Sequence, residues 1–215
     1  MSFQSGLNMG KGRTEAFSDG VFSIAITLLI LEIKVPHFIG QSNRELAWAL
    51  LSLWPSFFAF VGSFATILVL WINHHGLFTL AEHATPQFLF ANGFLLLFVI
   101  FLPFPTALLA QHLTGPGANT AAVVYCGTYV LTNISYHLLL SAVASPQSIR
   151  KDVSPALIRR IRIAYMFGSL IYITATVVAW FHAFAGVLIC SLFWLLLTQL
   201  SYSEKHDRNK SWFDE

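Results

Sequence analysis

Short polar clusters separate long apolar runs along this chain. Six runs are long enough to cross a bilayer: residues 14–35, 46–73, 86–109, 120–144, 158–181 and 184–202. A helix rises about 1.5 Å per residue, so about 20 apolar residues cross ~30 Å of hydrocarbon. Pro36 closes the first run, Pro55 is expected to kink the second, and Pro103 and Pro105 fall near the far end of the third. A Gly115-Pro116-Gly117 loop, a charged loop at Arg150-Lys151-Asp152 and a tight return at His182-Ala183 separate the rest. The pattern predicts an all-α integral membrane protein with six transmembrane helices. Residues 1–13 form an N-terminal segment, 14–202 the membrane domain and 203–215 a polar tail.

The first run carries an ionisable group inside it. Asp19 follows Phe17 and Ser18, Arg13 precedes the run and Glu32 closes it; between Gly20 and Leu31 the polar side chains are Ser23 and Thr27. A charge at that depth requires a partner or a wet cavity. At about 100° per residue, Gly20, Ile24, Thr27, Leu28 and Leu31 share one stripe, with Ser23 on its flank. Periodicity alone reads that stripe as lipid-facing or core-packing.

Composition supports the membrane assignment. The chain has 215 residues, of which 56% are hydrophobic and 10% charged, against roughly 25% charged in soluble domains. Residues 1–12 lack the apolar stretch of a cleavable leader. A net charge of +2, with basic residues at membrane edges, does not suggest nucleic-acid binding. Of the 12 Lys and Arg residues, only Lys34 and Arg44 fall outside if the N-terminus is cytoplasmic. The positive-inside rule then places both termini in the cytoplasm. Cys126 and Cys190 lie in apolar runs and are expected to be buried thiols, and no metal-ligand spacing occurs. Trp48, Trp54 and Trp180 fall near span ends, where an aromatic belt would place them. His137, within the fourth span, is expected to be a packing histidine.

This orientation puts Arg13, Ser18 and Asp19 level with Trp71, His74 and His75 of the second span and Asn92 of the third. Buried charges need partners, and Arg13, His74 and His75 are the candidates for Asp19. The expected pairing is with Arg13 and a histidine of the second span, His74 or His75. One reading of the cluster is a clamp that sets helix register. Another is a gate or pH sensor, because histidine titrates near neutral pH. A His-Asp catalytic pair lacks a nucleophile, so an enzyme is not expected.

The stretch Arg13-x-x-x-Phe17-Ser18-Asp19-Gly20-Val21-Phe22-x-Ile24-Ala25-Ile26-Thr27-Leu28-Leu29-x-Leu31-Glu32 resembles the first-helix signature of the prokaryotic transmembrane protein 175 family of potassium channels. Trp71-x-x-His74 and Asn92…Pro103-Phe104-x-Thr106 resemble its weaker second- and third-helix motifs. The resemblance implies a homotetramer whose first helices line the pore. It implies a constriction at Ile24, Leu28 and Leu31, with Ser23 and Thr27 beside it. It further implies that the Arg13–Asp19 pair packs against polar groups of its neighbours, among them Trp71, His74, His75 and Asn92. The permeant ion would be potassium, with no cofactor, in the cell membrane of a prokaryote.

One helix per chain cannot enclose a pore, and a cyclic homo-oligomer solves this. No Thr-Val-Gly-Tyr-Gly filter is present, so selectivity would come from a narrow apolar ring and partial dehydration of the ion. The alternatives are a secondary transporter and a proton-permeable channel. A transporter would want inverted repeats and broken helices around a midplane polar site, and neither is visible in the sequence.

Overall fold

A computed structural model describes residues 10–36 and 42–192. The N-terminal residues 1–9, part of the first loop, the second half of the sixth predicted span and the tail lie outside the described residues. The described residues are helical, and among them five helical stretches are long and apolar enough to cross a membrane. The elements are α1 (Lys11–Leu28), running into a 3-10 turn (Leu29–Glu32), α2 (Asn43–Ser52), α3 (Trp54–Leu80), α4 (Pro86–Phe101), α5 (Pro103–His112), α6 (Ala118–Val143) and α7 (Pro155–Phe181). A shorter apolar helix, α8 (Ala183–Leu192), is the described part of the sixth predicted span.

Helix starts follow their local chemistry. Ser42, Thr85 and Ser154 accept from the backbone N–H groups of Glu45, Phe88 and Leu157 at 3.2–3.3 Å, as N-caps do. Pro86 and Pro155 open their helices, where a missing N–H costs nothing.

The second predicted span departs from expectation. Pro55 does not kink one long helix: α2 ends at Ser52, and Pro55 sits in the first turn of a separate α3. Proline has no N–H to donate and its ring crowds the preceding turn. The chain instead restarts at Leu53, and α3 then runs seven residues past the predicted end at Asn73 to Leu80. The third span behaves similarly, with Leu102 parting α4 from α5 just before Pro103. At the other boundaries α1 begins at Lys11 and α7 at Pro155, each three residues earlier than predicted.

The core gathers around α6, which packs on α3, α4, α5 and α7. Fully buried Tyr125, Tyr129, Leu139 and Leu140 fill its faces. The α7–α8 return is tight: a Cβ at Gly186 would lie 2.5 Å from Ala179 Cβ, so the two backbones approach closely. One end of the bundle is laced together. Ala81 and Ile149 form an antiparallel bridge between the α3–α4 and α6–α7 loops. Arg150 N donates to Leu80 O at 3.0 Å, Glu82 N to Ser148 O at 2.7 Å and Lys11 Nζ to Ala81 O at 2.8 Å. Cys126 and Cys190 are both free and buried. α1 stands to one side, packed chiefly on α3 and α4.

Candidate pore site

α1 has two unlike faces. Thr14, Ser18, Phe22, Ala25 and Leu29 are buried, and at about 100° per residue they fall within an arc of about 80°. The opposite side carries Gly20, Ser23, Ile24, Thr27, Leu28 and Leu31, all exposed. Ile24 is 58% exposed, Leu31 59% and Leu28 39%, so these side chains add little to the chain's own core. Ile26, half-buried, packs against that core instead.

The far end of this face is shaped by a change of winding. Leu29–Glu32 is a 3-10 turn rather than α-helix. Side chains three apart eclipse in that geometry, which brings Leu31 over Leu28 in place of the slanted α-helical stripe. Thr27 Oγ1 donates to Ile24 O at 2.9 Å. Its one hydroxyl proton is thereby used inward, and its lone pairs are left for a cation or water.

Behind α1 lies a polar network that joins three helices. Ser18 Oγ donates to Thr14 O at 2.8 Å, Asn92 Nδ2 donates to Ser18 Oγ at 2.9 Å, and Asn92 Oδ1 lies 2.8 Å from His74 Nε2. The directions fix one another. Ser18 spends its proton on Thr14 O, so it accepts from the Asn92 amide. Asn92 therefore turns its oxygen to His74, and the network assigns the ring proton to Nε2. His74 is fully buried, with its ring 5.2 Å from Phe22 and 4.2 Å from Phe78. Its Nδ1 has no hydrogen-bond partner.

The expected partner of Asp19 is corrected here. Asp19 Oδ1 accepts from Trp71 Nε1 at 2.8 Å. Among the described residues no ion pair joins it to Arg13, His74 or His75. His75 pairs with Glu15 through Nδ1 at 3.0 Å, and His74 is taken up by Asn92. The reason is angular. Arg13 and Asp19 are six residues apart, about 120° around the helix, and Arg13 stands exposed near the Ile24 stripe. The indole of Trp71 reaches Asp19 because its N–H projects from a long, flat side chain on the facing helix.

Sequence reasoning passed over Glu15 and Phe17. Glu15 ties α1 to α3 at the rim of the network, and its spacing of four from Asp19 was a usable signal. Phe17 is 67% exposed, seven residues before Ile24 and therefore on the same stripe. Thr106 does not join this network. It sits 2.7 Å from Ser63, which lies 3.2 Å from Tyr125 OH, in a second buried cluster beside the proline break.

Comparison with known proteins bears on both features. Residues 13–103, which hold all but the first two residues of α1 and the whole three-helix network, match the family model described as "Endosomal/lysosomal potassium channel TMEM175". A protein of Chamaesiphon minutus described as a potassium channel is 43% identical over 180 residues, covering 83% of this chain and 89% of that protein. One of Streptomyces collinus, also described as a potassium channel, is 41% identical over 75% of this chain and 78% of its own length. A crystal structure of a TMEM175 homologue from Chamaesiphon minutus, described as a lysosomal potassium-selective channel, superposes with a TM-score of 0.80 at 41% identity. That superposition covers 89% of this chain and 97% of the solved one. The signature helix, the network behind it and relatives matched along most of their length make this chain a member of the TMEM175 family.

Proposed function

We propose that this chain is one subunit of a homotetrameric potassium channel of a prokaryotic cell membrane, with α1 of each copy facing the shared axis. Each subunit crosses the bilayer six times, and both termini are cytoplasmic. Potassium ions and the lipid bilayer are its partners, and no cofactor is needed. Relatives described as potassium channels support the ion.

The observation that carries the pore assignment is the exposed stripe of α1. A helix that buries one face in its own subunit leaves Ile24, Leu28 and Leu31 uncovered, and four such faces around an axis cover one another. Branched side chains meeting there leave a passage too narrow for a hydrated cation. An apolar ring of that size favours the ion that loses water at lower cost, which is potassium over sodium, and it closes by dewetting. Ser23 and Thr27 supply hydroxyl oxygens beside the ring. The Ser18–Asn92–His74 and Asp19–Trp71 contacts hold α1 in register, with His75 and Glu15 as the rim of that clamp, while Arg13 stands on the pore-facing side of α1.

The test is flux and reversal potential in liposomes holding the purified full chain, with potassium and sodium on opposite sides. Ile24→Asn should raise cation flux and reduce the potassium preference. Ile26→Asn, set about 160° away and against the subunit core, should lower the amount of folded protein without moving the reversal potential. Equal changes in reversal potential for both variants would sink the assignment of the stripe as the pore face. Flux that requires a second, coupled ion would point to a transporter.

A further inference from the structure

The N-terminal part of α7 carries a basic cluster on top of an apolar stripe. Lys151, Arg159 and Arg162 are exposed. The carboxylates described at this end of the bundle are engaged elsewhere. Glu15 pairs with His75, Asp19 accepts from Trp71, Glu82 lies 3.9 Å from His83, and Arg150 grips Asp152 through Nε at 3.0 Å and a second nitrogen at 2.6 Å. Among the described residues no carboxylate pairs with Lys151, Arg159 or Arg162.

The helix face below them is apolar and uncovered. With Arg159 at zero, Arg162 lies at about −60°, Ile163 at +40°, Met166 at −20° and Leu170 at +20°. Met166 is 60% exposed and Leu170 61%. The packing side of α7 is opposite: Gly168, Tyr172, Ala175 and Ala179 are buried, and the last two are the surface that Gly186 of α8 approaches. From Arg159 to Leu170 is about 16 Å along the axis, close to one leaflet of ~30 Å of hydrocarbon. Two guanidinium groups at the headgroup level and a leaflet's length of apolar side chain beneath them match a single class of molecule.

We propose that this face of α7 binds an anionic phospholipid, its phosphate held by Arg159 and Arg162 and its acyl chain along Ile163, Met166 and Leu170. Arginine suits the task because its planar fork meets phosphate oxygens in pairs. Lys151, in the preceding loop, adds charge to the same rim.

The experiment is direct binding to the full chain in nonionic detergent. The probes are a fluorescent phosphatidylglycerol and a phosphatidylcholine with the same acyl chains. Phosphatidylglycerol should bind at least about tenfold more tightly, and its affinity should fall with salt. In Arg159→Gln/Arg162→Gln that preference should be largely abolished, since each basic residue near an anionic surface contributes about a fivefold factor. Both side chains are exposed, so the fold tolerates the change; should the double variant melt early, each single variant is read instead. Equal affinity for the two lipids, or a preference unmoved by the substitutions, overturns the proposal. So does displacement by inorganic phosphate at the same concentration as the lipid, which would mark a simple anion site. A Leu170→Cys cross-link between copies would also overturn it, by showing the stripe covered by protein.

Discussion

Asn92→Leu tests whether the three-helix clamp holds α1. The substitution preserves approximate size and deletes both bonds of the amide, to His74 at 2.8 Å and to Ser18 at 2.9 Å. His74 and Ser18 are 0% exposed and Asn92 2%, so water does not replace the lost partners. A buried group left unpaired costs about 1–3 kcal/mol in soluble proteins. Between membrane helices the measured average is nearer ~0.6 kcal/mol per bond, with a maximum of about 1.7, because the unfolded state in the membrane also finds partners. Two bonds at the membrane values give about 1–3 kcal/mol. Most of this falls on His74, because Ser18 keeps its bond to Thr14 O. The assay is unfolding of the purified chain in mixed detergent micelles, followed by helical circular dichroism. A double-mutant cycle with Ser18→Ala isolates the Asn92–Ser18 bond, with a coupling of about 0.6–1.7 kcal/mol expected. An Asn92→Leu variant that unfolds like its parent, with coupling below about 0.3 kcal/mol, would show that these contacts hold nothing together.

Further outcomes follow from the surroundings of Gly186 and Gly62 and from the α6–α7 loop. Gly186→Ala should destabilise by about 1–3 kcal/mol, because the new Cβ would meet Ala179 Cβ at 2.5 Å and the Ala175 carbonyl at 2.7 Å. Gly62→Ala, whose Cβ would meet nothing nearer than 3.7 Å, should match or slightly exceed the parent in the same melting assay. The Asp152 carboxyl lies below the usual carboxylate range because Arg150 donates to it, with a backbone hydrogen bond assisting. A depressed value means the loop tie is intact above the unfolded pKa of about 3.9 and is lost as pH falls through the lower folded one. Hydrogen exchange across residues 144–154, corrected for intrinsic rates, should stay flat from neutral pH to about 5 and rise only near and below pH 4. A rise already complete at pH 6 would assign the tie to another group.

The sequence by itself determined the class of protein, most span positions and the stripe on α1. These depend on local quantities: run length against bilayer thickness, and an angular period that needs no knowledge of neighbours. Ile24, Leu28 and Leu31 emerge on the face that the period assigned to them, uncovered by their own subunit. The level shared by Ser18, Asp19, Trp71, His74, His75 and Asn92 was also legible, because helix direction and depth follow from counting residues along alternating spans.

Which of those groups meet was decided by tertiary structure. Two histidines, an arginine and an asparagine at one depth admit many pairings of similar energy. The rotation of α3 and α4 about their own axes selects among them. It turns His74 inward to Asn92, leaves His75 at the rim for Glu15, and delivers the Trp71 N–H to Asp19. Arg13 is excluded by its angle, not its distance along the chain. The break at Leu53 and the 3-10 winding at Leu29–Glu32 likewise belong to the folded molecule. A proline marks where a helix is weakened, but whether the chain kinks or restarts depends on the packing on either side of it.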